Sequence, residues 1–86
     1  MIILIDDIKI RNEQVFIPYI DINIKGGKID SLDSLADYLG KTDEEIEFLV
    51  SDFNDVPEEE KDFASRVLDV LLEAKKDNPN IKLTMM

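Results

Sequence analysis

Residues 46 to 85, IEFLVSDFNDVPEEEKDFASRVLDVLLEAKKDNPNIKLTM, spell a strand, a long helix and a second strand in succession. Ile46, Phe48 and Val50 alternate with Glu47 and Leu49, and the β-branched and aromatic content favours a strand over 46–50. Thr42 and Glu45 could instead form a helical capping box, but the breaker NDVP at 54–57 tips the reading to strand. From Pro57 the helix signals agree. Proline suits a first turn, Glu58, Glu59 and Glu60 suit a helix N-terminus, and Lys75 and Lys76 suit the C-terminal end. Phe63, Val67, Val70, Leu71 and Ala74 recur at helical spacing, so a helix over 57–77 is expected. Asn78, Pro79 and Asn80 stop it, and Ile81, Leu83 and Met85 alternate as a strand over 81–85. A strand, a helix and a strand in this order form a βαβ crossover with parallel strands.

The N-terminal side supplies the rest of an α/β domain. Ile2, Ile3, Leu4 and Ile5 form an unbroken aliphatic run, the pattern of a central parallel strand covered on both faces, placed near 2–10. Between Val15 and Lys25, Tyr19, Asp21, Asn23 and Lys25 alternate with Ile20, Ile22 and Ile24, which reads as a half-exposed strand. Pro18 confines it to an edge, and Gly26 and Gly27 supply a tight turn, so an edge hairpin over 15–30 is expected. Ser31 then caps a short helix over 31–40, with Gly40 as its stop. The expected architecture is a small, mainly parallel three-stranded sheet packed by two helices, with that hairpin at its edge.

Composition bounds the chemistry. The chain has 86 residues, 44% of them hydrophobic, enough for one domain spanning 1–86 with a single small core. Cysteine, histidine and tryptophan are absent. The usual general base, the thiol nucleophile and the commonest zinc ligands are therefore missing, which argues against an enzyme. No phosphate-binding glycine loop is present, and the acidic run DFNDVPEEE lacks calcium-loop spacing and its central glycine, so neither a cofactor nor a metal is expected. MIILI is too short, and too soon followed by Asp6 and Asp7, to be a signal peptide or a membrane span, which points to the cytoplasm.

The net charge is −10. Residues 30–62 hold thirteen acids against Lys41 and Lys61, so this segment alone carries −11 and the remainder +1. Such a focused field disfavours direct contact with nucleic acid or an anionic membrane and favours a basic protein partner. Within it, LDSLADYL at 32–39 places Leu32, Leu35 and Leu39 on one helical stripe and Asp33 and Asp37 on the next, with Asp30 falling on the same strip. Like charges at this spacing cost about 0.2–0.5 kcal/mol per pair. Asp30 and Asp33 sit near the helix N-terminus, where carboxylates are stabilising by about 0.3–1 kcal/mol. Asp37 lies beyond that first turn, which makes it the sharper candidate for a partner contact.

Three blocks, in order, carry a resemblance to the barstar family of small acidic ribonuclease inhibitors. They are the pattern LDxLxDxL at Leu32, Asp33, Leu35, Asp37 and Leu39; the strand that follows; and VLDVLLEAKKDNPNIKL at 67–83, with Glu73 in its EAK triplet. ILIDDIKI at 3–10 is similar to the family's opening strand. The resemblance implies an antitoxin or immunity protein whose acidic helix enters the active-site groove of a basic nuclease and occupies its phosphate subsites. Asp37 would be the central group, with Asp33 and Glu73 flanking it. Ribonuclease sites hold phosphate with Arg and Lys, and carboxylates accept the same charge-assisted hydrogen bonds. The implied partner surface comprises Asp30, Leu32, Asp33, Ala36, Asp37, Tyr38, Gly40 and Glu73, on a monomer that forms a heterodimer with its target.

The sequence departs from the family in three places. GGKIDS ahead of the acidic helix has no tyrosine, Ala36 stands where an aromatic is common, and the region near 12–26 reads as strand where the family has its first helix. Two other readings stay open. One is a phage-type DNA mimic acting on a restriction or CRISPR effector, for which EFLVSDF at 47–53 has some likeness to antirestriction proteins. The other is a non-inhibitory acidic interaction domain.

Overall fold

The computed structural model describes residues 1–24 and 28–86. They form β1 (Ile2–Ile5), α1 (Glu13–Asn23), α2 (Leu32–Lys41), β2 (Ile46–Val50), two 3-10 turns (Phe53–Asp55 and Glu58–Glu60), α3 (Lys61–Asp77) and β3 (Ile81–Met85). The three strands lie in the order β1-β2-β3, and both pairings are parallel. The sheet is therefore a small parallel α/β sheet, with α1 and α2 connecting β1 to β2 and α3 connecting β2 to β3.

The region 15–30 is not an edge hairpin. Asn12 caps a helix there, its side chain accepting the Val15 N–H at 3.1 Å. Phe16, Ile17, Ile20 and Ile24 are buried at helical spacing, while Ile22, which a strand would place with Ile20 and Ile24, is 81% exposed. Burial of this stripe outweighs the β preference of the isoleucines and the cost of Pro18 inside the helix. The expected turn at Gly26 and Gly27 lies outside the described residues. Beyond it, Ile29 is buried and its N–H donates to Asp21 Oδ1 at 2.9 Å, which ties the chain back to α1.

The first strand is also shorter and differently placed than expected. It ends at Ile5, because the Asp6 carboxylate accepts the N–H groups of Ile8 (3.1 Å) and Lys9 (2.9 Å) and turns the chain. β1 is an edge strand, and β2 is central. Ile3 and Ile5 are buried, but Ile2 and Leu4 are 62% and 60% exposed. The aliphatic run therefore has one covered face, not two.

The remaining boundaries shift slightly. The segment expected as one helix from residue 57 opens with the 3-10 turn at Glu58–Glu60 and becomes α-helical only at Lys61. Gly40 does not stop α2; the helix runs through it to Lys41, with Thr42 as the C-cap. Ser31 does cap α2, through a reciprocal pair in which Ser31 Oγ accepts the Ser34 N–H and Ser34 Oγ accepts the Ser31 N–H, each at 3.0 Å.

One core joins all three helices to one face of the sheet. Ile3 and Ile5 from β1, Ile46, Phe48 and Val50 from β2, and Ile81 from β3 meet Phe16 and Ile20, Leu35 and Leu39, and Phe63, Val67 and Leu71. Phe16 and Phe63 pack edge to face with centroids 6.0 Å apart. Each fully buried side chain of this size contributes about 1.5–3 kcal/mol, offset by the entropy of ordering the chain. No helix among the described residues is long and apolar enough to cross a membrane.

Candidate partner-binding site

α2 buries Leu35 and Leu39 against the core and half-buries Leu32 and Tyr38 at its edge. Its outward face then consists of Asp33, Ala36, Asp37 and Gly40, all exposed. Its Ala36–Gly40 edge lies beside α3, and the two helices are tied at one end by Asn78, the residue that caps α3. Asn78 is buried, and its Nδ2 donates to the carbonyl oxygens of Leu39 (2.8 Å) and Thr42 (2.9 Å) at the C-terminal end of α2. Those carbonyls are among the groups that a helix end leaves without intrahelical donors. The lock therefore satisfies the backbone and fixes α2 against α3 together.

Between the helices runs an open groove of about 270 Å³, lined by Ala36 and Gly40 of α2 and by Asp69, Val70, Glu73, Ala74 and Asp77 of α3. The small residues Ala36, Gly40 and Ala74 leave the depth, and the α3 side supplies carboxylates. Asp69, Glu73 and Asp77 follow one another at intervals of four, so they form a ridge with about 6 Å of axial rise between neighbours. None of the three makes an ion pair with a described residue. Asp69 and Asp77 were not among the residues that the sequence pointed to. Their signal was present in the period D-x3-E-x3-D across 69–77, which places all three on the face of α3 that borders α2.

The expected site divides between the two flanks of α2. Ala36, Gly40 and Glu73 meet in the groove just described. Asp37 and Tyr38 instead line a second concavity of about 390 Å³ on the other flank, with Lys28, Ile29, Ser34, Lys41 and Thr42. Asp37 is paired with Lys41, Oδ1 to Nζ, at 3.1 Å, so it has a local partner that its place beyond the first turn did not suggest. Both groups are largely exposed, and such a pair is worth at most about 1 kcal/mol. Tyr38 Oη lies 3.5 Å from Glu44 Oε1 and accepts from Thr42 Oγ1 at the same distance. Asp30 precedes the Ser31 cap and is not on the helix at all; its N–H donates to Ser34 Oγ at 3.0 Å. It therefore leaves the strip, and Asp33 and Asp37 remain as the carboxylates of α2. Leu32 belongs to the core edge.

Among the described residues no group of carboxylates is arranged to hold a metal ion. The arrangement can accept charge-assisted hydrogen bonds from guanidinium or ammonium groups along two helices, over a shallow floor that admits an apolar side chain. No protein-family model matches the sequence, and no curated protein matches it.

Proposed function

We propose that this chain is a cytoplasmic protein inhibitor, an antitoxin or immunity protein, that blocks the active site of a basic nuclease. The observation that carries the reading is the α2–α3 groove, floored by Ala36 and Gly40 with Asp69, Glu73 and Asp77 along its α3 wall; Asp33 and Asp37 add exposed carboxylates to α2 itself, Asp37 on the flank away from the groove. A nuclease that holds phosphates with arginine and lysine presents donors to which such carboxylates are matched. The concentration of negative charge in residues 30–62 adds a long-range attraction for the same partner. The resemblance of α2 and of residues 67–83 to the barstar family supports the same class. A helix at Glu13–Asn23 agrees with what that resemblance implies and with the correction of the strand reading.

The test is titration of a panel of basic ribonucleases and deoxyribonucleases with the purified protein. Stoichiometric inhibition that weakens as salt rises is expected, because exposed charges are screened. Asp37→Ala and Glu73→Ala should each weaken it by at least tenfold. Inhibition unchanged in both variants would place the contact surface elsewhere. Inhibition of a DNA-bound effector that yields only when several of Glu44, Glu45, Glu58 and Glu59 are neutralised together would favour the DNA mimic.

A further inference from the structure

The sheet ends differently at its two edges. Backbone groups of an edge strand that face away from the sheet are open to pairing with another chain. In β1 the Met1 and Ile5 carbonyl oxygens accept the Glu47 and Ser51 N–H groups, so Ile2 and Leu4 present theirs outward. That edge is closed. The Tyr19 hydroxyl donates to the outward Leu4 carbonyl oxygen, and the Lys9 ammonium lies 4.9 Å over the Tyr19 ring. In β3 the Asn80 carbonyl oxygen accepts from Ile46 and the Met86 N–H donates to Val50, so Leu83 and Met85 present both backbone groups outward and Ile81 its carbonyl. No strand among the described residues lies beyond them.

Apolar side chains follow the same open edge. The side of α3 that borders α2 carries Val70, Glu73 and Asp77. Helical spacing sets Leu68, Leu72 and Lys75 on the other flank of the buried stripe, the flank that overhangs β3. Leu68 is only partly buried, and Leu72 is 51% exposed. On the strand itself Leu83 is partly buried and Met85 is 51% exposed, although their register partners Phe48 and Val50 are wholly buried. The core is unfinished on this side for want of one more strand.

We infer that the outer edge of β3 binds an extended segment of another protein as a fourth strand, with alternate apolar residues and an acidic residue at one end. In strand addition the main-chain hydrogen bonds give affinity and the alternate side chains give specificity. Every second residue of the added strand faces the helices, where it covers Leu68, Leu72 and Leu83. Charge sets the ends. Lys75 and Lys82 stand toward the Ile81 end, and neither is ion-paired among the described residues. Glu47, the acid next to Lys82 on β2, accepts instead from Thr84 Oγ1 at 3.4 Å. At the other end Asp52 and Asp55 border Met85 and Met86. The segment therefore carries its acid beside Ile81 and a base beside Met85. The α2–α3 groove lies on the opposite flank of α3, so occupancy of one site leaves the other open.

The acetylated and amidated peptide KVTVTVE is the probe, titrated to millimolar concentration into isotopically labelled protein. Amide correlation spectra should show the Leu83 and Met85 signals shifting and their hydrogen exchange slowing, with Ile2 and Leu4 unmoved. Met85→Pro removes one outward donor at an edge position where proline leaves the ladder to β2 intact. It should weaken binding at least tenfold, while Met85→Ala stays within threefold of wild type. Lys75→Glu should weaken binding at least threefold, and the peptide KVTVTVK should bind that variant more tightly than it binds wild type. Absence of shifts at Leu83 and Met85, undiminished binding by Met85→Pro, or indifference to Lys75→Glu overturns the inference. So does exchange at Leu83 that slows with rising protein concentration and no peptide, which would make a second copy the occupant.

Discussion

Asn78 holds Leu39 by its backbone: the Asn78 Nδ2 donates to the Leu39 carbonyl oxygen at 2.8 Å and, with its other hydrogen, to that of Thr42 at 2.9 Å. Among the described residues Asn78 is the one polar side chain in the buried set. Its Oδ1 accepts the Asn80 N–H at 3.0 Å and its backbone N–H donates to the Ala74 carbonyl oxygen at 2.8 Å, so the same residue ends α3, starts the approach to β3 and anchors α2.

Asn78→Ala should therefore lower the unfolding free energy by about 1–3 kcal/mol, since it leaves buried carbonyls without donors. Asn78→Asp should cost at least as much, because a carboxylate cannot donate and would face two carbonyl oxygens. Urea denaturation of both variants checks this. A loss under about 0.5 kcal/mol would mean that water replaces the amide and the lock is dispensable.

The locks and the layers were unequally legible in the sequence. β2 could be read because its β-branched and aromatic content and the NDVP breaker outweighed the capping box of Thr42 and Glu45, and α3 and β3 because local propensity, apolar spacing and breakers agreed from Pro57 to Met85. The Ser31 cap of α2 was legible for the same reason. α1 was not, because Ile20, Ile22 and Ile24 fit a strand as well as a helix until Phe16 and Ile17 are seen to share the burial of Ile20 and Ile24 while Ile22 stands exposed. β1 misled differently: a run of four aliphatic residues has no internal sign of which side will stay bare. On the functional side, Ala36, Gly40 and Glu73 were named from a resemblance, and only the packing of α3 against α2 brings them into one groove. Asp69 and Asp77 had a readable period, but which face of α3 borders α2 is a tertiary fact.

Tyr19 gives a prediction in pH. Its hydroxyl donates to the Leu4 carbonyl oxygen, which ties α1 to the edge strand. Burial, and secondarily the Asp6 carboxylate, raise its pKa above the ordinary 10.0. The folded protein thus keeps the phenolic proton at a pH where the unfolded chain has lost it. The stabilisation is fully present below pH about 10 and falls as pH rises from there through the folded value. Urea midpoints of wild type and Tyr19→Phe, compared from about pH 8 to pH 11, should converge at the alkaline end. A constant difference across that range would remove Tyr19 as the titrating group.

Asp37 and Lys41 bear on affinity. For Asp37 to meet a cation on the partner, its exposed contact with Lys41 must loosen, and the Lys41 ammonium then stands beside an incoming positive charge. Lys41→Met should change stability by less than about 1 kcal/mol and should tighten binding to a nuclease target, chiefly through faster association at low salt. If binding weakens instead, Lys41 is itself a contact, and the concavity it shares with Lys28 and Tyr38 receives an acidic group of the partner.

Gly40 separates stability from function most cleanly. It lies inside α2, exposed, and a Cβ built on it meets nothing within 4 Å. Helix interiors favour alanine over glycine by up to about 1 kcal/mol, so Gly40→Ala should stabilise the fold by up to that amount. The added methyl also raises the floor of the groove that Gly40 lines with Ala36 and Glu73. If a partner seats there, Gly40→Ala should bind more weakly while melting higher, and Gly40→Leu should bind more weakly still with its fold intact. A glycine present only for chain flexibility would give no such opposition. Thermal melts and inhibition constants measured on the same preparations decide between them, and unchanged inhibition by Gly40→Leu would exclude the groove as the contact surface.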